Sequence, residues 1–180
     1  MRGIYAVAVL CMATVLVAGC NQKQAAAPAA APAAAASYDE SPASNAKFLA
    51  DNKAKPGVMT QASGLQYRVI KSGTGASPQS GEDVVTVTYK GSLIDGKVFD
   101  QTPPGQTAEF PAGMLISGWV EALSLMKEGD EWELVIPSEL GYGSAGAGNG
   151  VIPPNQTLVF DMTLLKVTPA SDPAAPPATP

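Results

Sequence analysis

A chain of 180 residues is long enough for one domain with extensions. It contains no histidine, which removes the usual general base, proton shuttle and imidazole metal ligand, and its formal net charge of -5 argues against nucleic acid as a partner. Only two cysteines are present, and Cys11 lies in a leader-like stretch, so thiol-dependent and zinc-dependent catalysis are both disfavoured.

The chain opens with Arg2, an apolar run from Ile4 to Val17, and the close Leu16-Val17-Ala18-Gly19-Cys20. That run is too short to span a bilayer and has the layout of a secretory signal. Its ending resembles a bacterial lipobox, in which cleavage falls before a cysteine that carries lipid. On that reading residues 1–19 are a lipoprotein signal peptide and Cys20 is the lipidated first residue of a mature chain with no free thiol. The other reading is an ordinary signal peptide with Cys20 an incidental thiol. Several acyl chains anchor firmly where one does not. By resemblance to lipoprotein sorting, Asn21 after the cysteine implies the outer membrane, with the domain facing the periplasm or the cell surface.

Residues 20–37 are mostly Ala, Pro and Gln. They read as a semi-extended tether of roughly 3 Å per residue, about 50 Å in all. Residues 38–58 form a short helical stub, with Ser44 or Asn45 as cap and Pro56-Gly57 as terminator. Residues 169–180 repeat the Pro/Ala bias of the tether and read as a disordered tail.

Strands and tight turns fill residues 59–168. Leu65 to Ile70 alternates and is broken by Gly73-Thr74-Gly75. Val84 to Tyr89 alternates again, and Asp95-Gly96 is a hairpin signal between Ser92-Leu93-Ile94 and Lys97-Val98-Phe99. Val120 to Met126 is the one convincing helix of the domain, with Trp119, Leu123 and Met126 on one face and Lys127-Glu128-Gly129 as its stop. Trp132 to Ile136 and Thr157 to Val167 are strand-like. The pattern predicts an α+β fold, an antiparallel sheet of about five strands wrapped around one short helix. Five glycines between Pro137 and Pro154 read as a mobile flap, because they do not open a helix at nucleotide-binding spacing.

Four segments stand in order through this region: Tyr89 to Asp100, Leu115 to Trp119, Leu140 to Gly143 and Val151 to Asp161. Together they resemble the pocket-forming motifs of the FKBP-type peptidyl-prolyl cis-trans isomerases, over roughly Met59 to Val167. Phe48 to Lys53, followed by Pro56-Gly57-Val58, is similar to the junction in the macrophage-infectivity-potentiator-like branch, which carries a longer helical dimerisation domain upstream. The stub here implies a monomer.

The resemblance implies a fold of the same class and an isomerase that uses neither cofactor nor metal. Its partners are proline-containing exported polypeptides, with macrolide inhibitors as ligands of the same pocket. Trp119 is implied as the floor under a prolyl ring, with Tyr89, Phe99, Phe110 and Phe160 as walls. Leu115 and Ile116 line one side, and the Ile116 amide faces a substrate carbonyl. Tyr142 donates its hydroxyl to another carbonyl, Asp100 sits at the rim, and Val151 and Ile152 close the edge. Taken singly, the strand aromatics, Leu115, Ile116 and Val151 are most often core, Asp100 fits a turn or a buried salt bridge and Tyr142 a structural corner, and only their joint order favours a pocket. Ser117 stands where bacterial members commonly have proline, and Ala108 where some eukaryotic members have a second aromatic. A chaperone-like binding module with incidental turnover is the alternative of a different class.

Overall fold

A computed structural model of the chain describes residues 38–170. Cys20, the leader, the tether up to residue 37 and the tail beyond Ala170 lie outside the described residues. The first element is the helix α1 (Pro42–Lys53). It begins before the expected cap because Ser41-Pro42 supplies both a capping side chain and a first-turn proline. The Ser41 hydroxyl accepts from the Ser44 amide at 3.2 Å. Asn45 is therefore inside the helix, and it is buried against the domain rather than serving as a cap.

Seven strands follow in one antiparallel sheet: β1 (Val58–Thr60), β2 (Gln66–Lys71), β3 (Val84–Leu93), β4 (Val98–Gln101), β5 (Ala108–Pro111), β6 (Glu131–Ile136) and β7 (Leu158–Thr168). Their order is β1-β2-β6-β7-β3-β4, with β5 pairing β3 beside β4. The α+β architecture is the expected one, and the sheet has seven strands where about five were expected. The additions are β1 and β5, of three and four residues, too short to display a period-2 pattern. The β-branched run of β3 holds the sheet together. It pairs along its whole length with β7, from Val84↔Thr168 to Leu93↔Leu158. On its other edge Val84–Val87 meet β5 and Lys90–Ser92 meet β4.

The second helix, α2 (Ser117–Leu125), lies across one face of the sheet. It starts three residues before the expected Val120, because the Ile116 carbonyl accepts from both the Trp119 amide (2.9 Å) and the Val120 amide (3.1 Å). Gly118 and Trp119 thus belong to its first turn. An added Cβ on Gly118 would sit 2.5 Å from Ile136 Cγ2, so glycine is what lets the helix approach β6 this closely. Trp119, Ala122, Leu123 and Met126 pack against Leu134, Ile136, Leu158, Phe160 and Met162 in a single core.

The stretch from Pro137 to Pro154, expected as a mobile flap, contains three short 3₁₀ turns, Ser138–Leu140, Gly143–Ala145 and Gly148–Gly150, with Ala147 and Ile152 bridged in antiparallel fashion. At Gly146 φ is +64° and an added Cβ would lie 2.4 Å from the Ile152 carbonyl, which accounts for glycine in that turn.

The loop that leads into β3 is secured by Asp83. Its carboxylate accepts from the amides of Gln79 (2.7 Å), Ser80 (3.0 Å) and Ala170 (3.1 Å) and from the Ser80 hydroxyl (3.0 Å). Its carbonyl accepts from the Ala112 amide at 2.8 Å. Burial pushes the Asp83 carboxyl up, but these donors outweigh it and hold the group below the usual carboxylate range. A depressed folded-state pKa stabilises the fold above the unfolded value near 4 and loses that contribution as pH falls through the folded value. Asp83→Asn should therefore cost about 1 kcal/mol at pH 7. In thermal unfolding of both proteins, the gap should narrow as pH is lowered from 7 to 3, and an equal gap at both pH values would contradict this role.

Candidate functional site

Nine of the eleven residues expected in a pocket line one cleft. Its floor is Trp119, 4% exposed, raised from the first turn of α2. The indole meets Tyr89 edge-on at 5.1 Å and 83°, Phe160 at 5.2 Å and 82°, and Phe110 at 6.2 Å and 84°. Phe99 meets Phe160 in the same way, at 5.5 Å and 85°. Aromatic rings prefer such edge-to-face contacts because the positive ring edge meets the negative face, a gain of about 0.5–1.5 kcal/mol per pair beyond area burial. The walls come from β3, β4, β5 and β7, and the turn into α2 adds Leu115 and Ile116.

The cleft holds about 170 Å³. That is below the roughly 300–1,000 Å³ of drug-sized ligand sites and suits a single ring. Val151 and Ile152 are not in its lining. Val151 is 45% exposed on the loop, and Ile152 is buried in the core through its bridge to Ala147.

The rim is polar. Tyr89 donates its hydroxyl to Asp100 Oδ2 at 2.6 Å, and Tyr142, 38% exposed, stands on the loop side. Burial, then the hydrogen bond to Asp100, pushes the Tyr89 phenol well above its ordinary range. Burial and then the Asp100 charge push Tyr142 up as well. Both phenols therefore remain protonated donors at any physiological pH, and Asp100 is the one carboxyl side chain in the lining. Such a site can bind, desolvate and hydrogen-bond, and it contains neither histidine nor thiol. Among the described residues no cluster of three His, Cys, Asp or Glu could hold a metal. Among them, too, no helix is long and apolar enough to cross a membrane.

Two residues that position the site were not singled out from the sequence. Thr102 clamps the Tyr89 backbone where the ladder between β3 and β4 ends. Its Oγ1 accepts from the Tyr89 amide at 3.1 Å and donates to the Tyr89 carbonyl at 3.2 Å. Gly91 sits in β3 beneath two walls. An added Cβ would lie 2.6 Å from Phe160 Cε1 and 2.7 Å from Phe99 Cζ. A glycine inside a strand pattern signals close approach of another group, and Gly91 carries that signal between Lys90 and Ser92.

A family profile described as FKBP-type peptidyl-prolyl cis-trans isomerase matches residues 75–165. A second, described as the domain amino terminal to FKBP-type peptidyl-prolyl isomerase, matches residues 12–69. The chain is 47% identical over 134 residues to a protein of Legionella longbeachae named Outer membrane protein MIP, covering 74% of this chain and 57% of that one. It is 52% identical over 126 residues to the FKBP-type 22 kDa peptidyl-prolyl cis-trans isomerase of Escherichia coli K12, covering 69% of this chain and 60% of the relative. The chain thus spans somewhat more than half the length of these curated relatives. A crystal structure of a peptidyl-prolyl cis-trans isomerase from Pseudomonas syringae pv. tomato superposes with a TM-score of 0.65 at 42% identity, covering 70% of this chain and 92% of that one.

Gly91→Ala should force the Phe99 and Phe160 rings out of the cleft. The expected result is a loss of about 1–3 kcal/mol in urea unfolding, the usual cost of overpacking, with an altered near-ultraviolet dichroism of the aromatic cluster. A variant with wild-type stability and spectrum would show that the walls tolerate the extra carbon.

Proposed function

Because the chain belongs to the FKBP-type peptidyl-prolyl cis-trans isomerase family, we propose that it accelerates rotation about X-Pro bonds in exported polypeptides. The observation that carries this reading is the cleft itself, a buried indole ringed edge-on by aromatics under a rim of two phenols and one carboxylate. Rotation about an amide costs about 18–20 kcal/mol because it breaks the C–N resonance. For X-Pro bonds the uncatalysed step takes tens of seconds or more.

A twisted amide has lost charge separation, so an apolar cleft that strips water favours it over the planar ground state. The prolyl ring rests on Trp119 between Phe99 and Phe160. The backbone on either side is held by the Ile116 amide and the Tyr142 hydroxyl. Asp100, ordered by Tyr89, faces the twisting carbonyl. No bond is made or broken and no proton moves, which suits a chain without histidine.

The remainder of the proposal concerns placement. Cys20 carries lipid and, through the tether, holds residues 59–168 beside the outer membrane as a monomer. The relative named Outer membrane protein MIP, together with the sequence around Cys20, supports this placement.

The deciding assay follows cis-to-trans isomerisation of a short X-Pro peptide, with and without an FKBP-directed macrolide. Acceleration abolished by the macrolide is expected. A hydrogen bond to a charged group carries about 1.5–3 kcal/mol, so Asp100→Ala should lower kcat/KM about ten- to hundredfold. A folded protein with no acceleration overturns the isomerase reading. Turnover lost in Asp100→Ala with undiminished protection of an unfolded client would instead identify a binding module. Independently, labelled palmitate should enter the wild-type protein and not Cys20→Ala, and labelling of both would place the lipid elsewhere.

A further inference from the structure

The helix α1 is attached to the domain by amides rather than by an apolar face. Its buried residues are both asparagines, Asn45 and Asn52. They reach different places. Asn52 Nδ2 donates to Gln66 Oε1 at 2.9 Å on β2 and makes no hydrogen bond to the loop beside the cleft. Asn45 grips the far end of that loop with both ends of its amide. Its Nδ2 donates to Gln156 Oε1 at 3.1 Å, and its Oδ1 accepts from the Thr157 amide at 2.7 Å, all within buried surroundings. Gln156 Nε2 in turn donates to the Glu40 carbonyl, at the start of α1, at 2.8 Å and to the Pro154 carbonyl at 3.1 Å.

One residue earlier, Asn155 is held at a left-handed φ of 59° while its amide donates to the Gly143 carbonyl at 2.8 Å. Gly143 directly follows Tyr142, which lines the cleft. Hydrogen bonds from α1 to Gln156 and Thr157, and from Asn155 to Gly143, therefore connect the helix along the backbone to the neighbour of the residue that carries the rim phenol. An apolar contact tolerates sliding by a fraction of an ångström, but a fully paired buried amide does not, because each displaced group would be left unsatisfied in a medium without water.

We propose that Asn45 and Gln156 are positioning residues for Tyr142, so that α1, the element next to the tether, sets the loop-side rim of the cleft. This rests on the isomerase reading for its kinetic consequence and on geometry alone for its structural one. Tyr142 serves as a ground-state contact to the substrate backbone, so misplacing it weakens binding more than it slows rotation.

The test compares Asn45→Ala with Asn52→Ala in the full chain in detergent, since both remove a buried asparagine amide of α1 and only the first touches the loop. Losing a net hydrogen bond's worth of positioning, Asn45→Ala should raise KM for an X-Pro peptide about three- to tenfold with kcat within about twofold, while Asn52→Ala leaves KM unchanged. Should Asn45→Ala fail to fold, Gln156→Met removes the same link with a side chain of similar length. The second readout needs no turnover. In protein labelled with fluorotyrosine, the Tyr142 resonance, assigned through Tyr142→Phe, should shift in Asn45→Ala or Gln156→Met and not in Asn52→Ala. A shift in a wild-type-inactive protein would sink the isomerase reading and leave the clamp standing. An active protein in which the two asparagine variants share one KM and neither moves the Tyr142 resonance would overturn the clamp.

Discussion

The constraint on which the rest of this structure depends is the placement of one indole between a helix and a sheet. Trp119 is at once a core side chain and the floor of the cleft, so the packing that stabilises the domain also shapes the site. Its edge-on contacts with Tyr89, Phe110 and Phe160 draw walls from three different strands to one centre. Two glycines make this possible by removing carbon where it would collide. Gly118 lets α2 approach Ile136, and Gly91 leaves room for the rings of Phe99 and Phe160.

The chemistry follows from the same arrangement. A barrier that arises from amide resonance can be lowered by shape and desolvation, with hydrogen bonds to hold the chain on either side of the twisting bond. The lining fits that demand: apolar rings below, protonated phenols and a carboxyl group above, and neither histidine nor thiol among its residues. Burial keeps both phenols in their donor form, and the Tyr89 bond to Asp100 orders the carboxylate that faces the cleft.

The two helices are attached by opposite means. α2 is held by volume, through Trp119, Ala122 and Leu123 in the core. α1 carries few apolar residues and is held by hydrogen bonds between the side-chain amides of Asn45 and Gln156 and of Asn52 and Gln66. Apolar packing supplies most of the stability of a domain, whereas directional polar bonds fix register. It is the register of α1 that bears on the loop beside the cleft.

Much of this was legible in the linear chain. The β-branched alternation of β3, the Asp95-Gly96 turn and the Trp119, Leu123 and Met126 spacing are local signals, because period and turn chemistry are properties of neighbouring residues. The resemblance carried by the four segments marked eleven residues, of which nine line one cleft. Other features depended on partners distant in sequence. β1 and β5 are strands because β2 and β3 offer them an edge, not because three or four residues prefer to be extended. Asn45 is a buried link to residues 111 and 112 positions away, and nothing in its local sequence distinguishes it from a cap. Val151 and Ile152 were placed at the cleft by motif, but the turns of their loop direct one to solvent and the other to the core. Composition thus excluded histidine- and thiol-dependent chemistry and periodicity marked the main elements, while the isomerase reading rested on the resemblance carried by the four segments. The shape of the cleft, the glycines that clear it and the helix that braces its rim were decided by tertiary structure, because contact between residues far apart in sequence is set only when the sheet closes over α2.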